Sequence, residues 1–148
     1  MRGTSLCDVR AYATCGHELG HLGLTELLAQ EPLLARAGKP VLHLGANLGC
    51  ASDPTLFLRA SDDAMSAQMK ALLRDEGYPE ADIRVQPISS VSGEGHDLVG
   101  HGAKVLSMAG ANAHFHAASD RWPGNVSAAG TAAIARAVSR WVALMVAA

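Results

Sequence analysis

Asp8-Val9-Arg10-Ala11-Tyr12-Ala13-Thr14-Cys15-Gly16-His17-Glu18-Leu19-Gly20-His21-Leu22-Gly23 is the stretch on which the fold turns. It contains His17-Glu18-Leu19-Gly20-His21, an HExxH pattern. Within a helix that spacing puts both histidines on one face to hold zinc and leaves the glutamate to activate water. The surroundings argue against a helix. Asp8–Thr14 is a short apolar run that reads as a strand, and Gly16 forms the turn directly after it. Gly20 and Gly23 each weaken a helix by about 1 kcal/mol relative to alanine. Leu27 stands where the extended zinc motif carries its third histidine. The expectation is a strand-to-helix turn over 16–22, not the middle of a zinc-protease helix.

Further along the chain, Pro40–Ala46, Asp82–Ile88 and Lys104–Ala109 also read as strands. Helical patterns fill the intervals. Ser61 to about Glu76 has Ser61 as its cap, Asp62 and Asp63 at its positive end, and a Met65, Met69, Leu72, Leu73 stripe before Gly77 and Pro79. The final helix, about Ser127 to Ala147, carries Ile134, Val138, Trp141, Val142 and Met145 opposite Arg136 and Arg140. Both stripes read as core. Leu24–Ala37 has helical spacing broken at Pro32. Alternation of this kind predicts an α/β fold with a mostly parallel sheet and flanking helices. In such a sheet, polar groups beyond the carboxyl ends of the strands mark the site. His17, Glu18, Asn47, His114 and His116 fall there, and His96 lies in the loop before the last strand.

Composition narrows the function classes. The 148 residues carry 12 basic and 14 acidic side chains, a formal net charge of −2. That balance gives no basic footprint for nucleic acid and no polybasic surface for a membrane. The most apolar stretch, near the C-terminus, is interrupted by Arg136 and Arg140, and residues 1–8 lack the apolar segment of a signal peptide, which leaves the cytoplasm as the default location. Cys7, Cys15 and Cys50 are odd in number and lack CxxC spacing, so they indicate neither a disulfide framework nor a thiolate zinc site. A single soluble domain, or a piece of one, is expected.

The turn over 16–23, Gly-His-Glu-Leu-Gly-His-Leu-Gly after a strand, resembles the Gly-Glu-Glu-x-Gly-Leu-x-Gly segment of the co-catalytic zinc exopeptidases. That family includes bacterial leucyl aminopeptidases, aminopeptidase Y, glutamate carboxypeptidase and glutaminyl cyclase. Phe115-His116-Ala117-Ala118-Ser119-Asp120, followed by Asn125-Val126 and a long helix, is similar to its Tyr-His-Thr-x-x-Asp segment. Val41–Leu44 takes the place of its aspartate-bearing strand, and His96 that of its Asp-His-x-x-Phe loop.

The resemblance implies that residues 1–148 are the C-terminal part of a phosphorylase/hydrolase-like catalytic domain, incomplete at its N-terminal side, with zinc as cofactor. It implies aminopeptidase-type cleavage of a peptide or small amide. Glu18 and His116 match ligands of one metal, which requires their side chains within roughly 5 Å of each other. His17 stands at the general-base position and His96 on the substrate side. Asp120 is placed to accept the second imidazole N–H of His116. The chain also departs from the pattern. No carboxylate occurs over Leu42–Asn47, and the first sixteen residues offer only Asp8. Two ligands are too few for tight zinc, so His21 or His114 would have to complete the set. A non-catalytic pseudoenzyme or binding module on the same scaffold is therefore the alternative, and an HExxH zincin the third. The incomplete side of the sheet implies pairing with another copy or with a missing N-terminal half.

Overall fold

The computed structural model describes residues 9–32, 34 and 40–147. Four strands, β1 (Pro40–Leu44), β2 (Leu56–Ala60), β3 (Ile83–Pro87) and β4 (Lys104–Gly110), form one open sheet in the order β1-β4-β2-β3. β1 pairs with β4 and β2 with β3 in parallel, while β2 and β4 run antiparallel. Helices α1 (Leu22–Gln30), α2 (Asp63–Asp75), α3 (Glu94–Gly100) and α4 (Ala128–Ala147) flank it. The chain is thus an α/β protein with a mixed, mostly parallel sheet, as the alternation predicts.

Side-chain alternation assigns the two faces. Leu56 and Leu58 of β2 and Leu106 and Met108 of β4 are fully buried, packed with Met69 and Leu73 of α2 and Ala137 and Trp141 of α4. On the opposite face Val105 joins Leu24 and Leu28 of α1 and Leu98 of α3. By length and composition α4 would pass for a membrane span. Its Ile134, Ala137 and Trp141 pack into the core on the sheet.

Three sequence expectations need correction. Residues 9–14 form no strand among the described residues, and Asp8 lies outside them. The strand β2 is not among those the apolar runs predict. Ser61 does not cap α2. Asp62 does, accepting the Met65 N–H at 2.9 Å, while Ser61 exchanges bonds with the Val105 backbone, its Oγ accepting from Val105 N and its N–H donating to Val105 O, both at 2.8 Å. Gly77, at φ 88°, ends α2 in the expected place: its N–H reaches Arg74 O and the Tyr78 N–H reaches Leu73 O. The helix expected over Leu24–Ala37 closes at Gln30, just before Pro32, and residues 35–37 lie outside the described residues.

The polar face of α4 is tied to the end of α2. Arg136 Nε and Arg140 Nη1 donate to the two carboxylate oxygens of Glu76 at 2.7 and 2.8 Å. Those bonds, Arg140's first and Arg136's next, hold the Glu76 carboxyl below its ordinary value. A carboxyl depressed in the folded state stabilises the fold above its unfolded pKa and loses that contribution as pH falls through the folded value. Glu76→Gln is therefore expected to lower the urea midpoint at pH 7. The gap from the parent should close as pH falls through the depressed folded-state value of Glu76, because the parent's carboxylate is then protonated.

Candidate metal centre

The motif over 17–21 folds as two pieces. His17–Leu19 is a single 3-10 turn, Gly20 follows at φ 76°, and His21 takes a left-handed φ of 60° as the cap of α1. The break at Gly20 and His21 removes the continuous helix a zincin motif needs. Gly23 is required for a different reason: a methyl there would sit 2.6 Å from the Cys15 carbonyl oxygen, where the Gly23 N–H closes the turn. The expected strand-to-helix turn is present, though the strand before it is not.

The two histidines still approach each other. Their rings lie 4.9 Å apart between centroids, tilted by 36°. Each faces a carboxylate of α3, and the two acids are three positions apart on one helical face. His17 Nδ1 lies 2.8 and 2.9 Å from the two Glu94 oxygens, and His21 Nδ1 lies 2.6 Å from Asp97 Oδ2. Donor atoms of His17, His21 and Glu94 all fall within 4.8 Å of one another. Glu94 is the best shielded of these side chains, at 17 % exposed against 57 % for His17.

The electrostatics are reciprocal. Glu94's hydrogen bond and then its charge raise His17 above the ordinary imidazole value, with Glu18 adding to the effect and burial opposing it. For Glu94, burial pushes the carboxyl up, but the hydrogen bond from His17, its own backbone N–H and the charges of His17 and His21 outweigh it. The net result is a carboxylate held below its usual range, ionised and available as a ligand.

The remaining expected site residues are distributed as follows. Glu18 is exposed on the same turn as His17. His96 is an exposed residue of α3, its Nδ1 3.6 Å from Asp97 Oδ1. His116 sits in the loop after β4 with φ 62°, its ring 4.0 Å from that of Phe115. No ion pair within 4 Å joins His116 to Glu18 among the described residues, and neither belongs to the donor cluster. The Asp120 carboxylate accepts from Asn112 Nδ2 and Asn125 Nδ2, both at 2.8 Å, so its bonds hold the 112–125 loop and not the His116 ring. His114 Nδ1 is 3.1 Å from Ser119 Oγ. The sequence reading placed His17 and His21 but missed Glu94 and Asp97, the acids that gather them. A Glu-x-x-Asp pair opening a short helix was the only signal available.

Two imidazoles and one carboxylate are the donor types of a catalytic zinc site with one position left open. Zinc–ligand bonds of about 2.0–2.2 Å put tetrahedral donors about 3.4 Å apart, so closure from a 4.8 Å spread requires side-chain rotation on the order of 1 Å. The exposed His17 can supply that movement. The donor set fits the metal. No protein-family model, curated protein or solved structure matches the chain.

Proposed function

We propose that this chain is a zinc-dependent hydrolase of peptide or small amide bonds, with the metal held by His17, His21 and Glu94. The observation that carries the proposal is the convergence of these three donors within 4.8 Å from segments more than seventy positions apart. When bound, zinc there supplies an activated water and polarises the scissile carbonyl. Asp97 occupies Nδ1 of His21, which fixes its tautomer and leaves Nε2 as the free ring nitrogen. Glu18, beside His17 and open to solvent, is the carboxylate placed to take a proton from the attacking water. His96, at the exposed rim next to Asp97, is available to a substrate.

The likeness to the zinc exopeptidases supports the reaction class through the motifs over 16–23 and 115–120. The proposed ligand set differs from the one it implies: His17 moves from base to ligand beside His21 and Glu94, Glu18 moves from ligand to base, and His116 leaves the set. One observation favours the non-catalytic alternative. His17 and Glu94 already satisfy each other through two contacts, so the cluster also works as a lock between the N-terminal turn and α3.

Zinc content and hydrolysis of an aminoacyl anilide by the purified chain separate these readings. The expected result is one zinc per chain, retained in His116→Ala and lost in His21→Ala, with turnover following the zinc. Zinc lost in Glu18→Ala and His116→Ala but kept in His21→Ala would put the metal at the family's positions. A chain that takes up no zinc would leave only the lock.

A further inference from the structure

A second polar site lies on the same face of the sheet and owes nothing to the metal. The strand register sets His43 of β1 beside Ser107 of β4, Ser107 beside Arg59 of β2, and Arg59 beside Gln86 of β3. Four polar residues thus form one continuous row across all four strands. Of the four, Ser107 is buried, and a buried polar group must find a partner. Ser107 is only 1 % exposed and its Oγ lies 2.9 Å from His43 Nδ1. Above the row is a cavity of about 200 Å³ lined by His43, Ser107 and Arg59, with Asn47 and Ser92 at its wall.

Arg59 is the feature without a structural explanation. Its Nε donates to Ser90 Oγ at 3.1 Å, and its guanidinium carbon sits 5.0 Å above the centre of the Phe57 ring. These contacts orient the group without supplying a counter-charge. No carboxylate forms an ion pair with it among the described residues, and none of the residues lining the cavity is acidic. Burial lowers the guanidinium pKa, with no opposing contribution from a neighbouring charge. Glu94, whose charge reaches His43, does not line the cavity and is bonded to His17.

The other donors agree in sign. Burial keeps His43 below its ordinary pKa and therefore neutral near pH 7. In the tautomer that carries the proton on Nδ1, the ring donates to Ser107 Oγ and frees the Ser107 hydroxyl to donate into the cavity. The Asn47 side-chain oxygen accepts from Asn112 Nδ2 at 3.0 Å, which leaves its NH₂ as a donor. A fixed guanidinium, a hydroxyl and an amide, with no acid among them, make a receptor for an anion.

We propose that the cavity over the His43–Ser107–Arg59 row binds a small oxyanion, either free phosphate or a carboxylate group, with the Arg59 fork as its principal contact. Titration calorimetry on the full chain in the presence of a chelator tests this without a metal to hold the anion. Inorganic phosphate and acetate are the two probes, in chloride of equal ionic strength. At least one is expected to bind saturably, one per chain, and Arg59→Gln should weaken it about tenfold or more. Arg59→Lys, which keeps the charge but loses the fork, should fall between them. Arg84→Gln, on an exposed position of β3, should bind like the parent. Phenylglyoxal labelling of the unmutated chain supplies a readout that needs no variant: the bound anion should slow modification of Arg59 selectively. Absence of saturable binding of either probe would overturn the site. So would phosphate or acetate binding that survives Arg59→Gln, or labelling of Arg59 that neither anion slows.

Discussion

Leu58→Ala is expected to lower the unfolding free energy by about 3–5 kcal/mol, a large part of the about 5–15 kcal/mol that holds a domain of this size together. Leu58 is fully buried, in the antiparallel register with Met108 on one side and the parallel register with Val85 on the other. Its side chain belongs to the core formed with Met69, Leu73 and Trp141. Truncation removes apolar area and leaves a cavity that a sheet face covered by both α2 and α4 closes poorly. Val85, the neighbour of Leu58 in the same row, is the control. It is 50 % exposed on an edge strand, so Val85→Ala should cost about 1 kcal/mol or less. Urea unfolding with an unchanged m-value would give both numbers, and equal losses at the two positions would mean that this face is not the principal core.

Local patterns carried most of the helices and three of the strands. The α2 stripe and its Gly77 stop are properties of one segment, readable from spacing alone. The errors arose where pairing is non-local. Val9–Thr14 has strand-forming residues but forms no strand among the described residues, and a strand is stable only as part of a ladder. Leu56–Ala60 is five residues long and runs almost directly into α2, so its alternation of Leu56 and Leu58 against Phe57 and Arg59 was too brief to stand out. The insertion of β4 between β1 and β2 brings residue 107 between residues 43 and 59, and no one-dimensional pattern encodes that juxtaposition. The candidate metal centre failed to show itself for the same reason. His17 and His21 were visible as a motif, whereas Glu94 and Asp97 acquire meaning only once α3 is laid across the turn that bears the histidines.

Those two acids support the sharpest functional prediction, because the proposed centre gives them unequal roles. Glu94 is a donor in the cluster, whereas Asp97 acts only through His21. Losing a carboxylate that orients a ligand costs about 10–100-fold in metal affinity. Losing a ligand must cost more, since it removes a bond and a negative charge together. Glu94→Gln should therefore weaken zinc binding by more than about 100-fold. Asp97→Asn should fall near the lower end of the orienting range, at about tenfold, because the amide oxygen can still accept the His21 Nδ1–H. Both substitutions are nearly isosteric and lie on the partly exposed side of α3, so the fold should persist, as the far-ultraviolet spectrum would verify. Competition against a chelator at fixed pH measures the two affinities on one scale. If Asp97→Asn lost as much as Glu94→Gln, the ligand would be Asp97 or neither acid. If both variants bound zinc as the parent does, the metal would lie elsewhere, and the His17–Glu94 pair would be the lock that joins the N-terminal turn to α3.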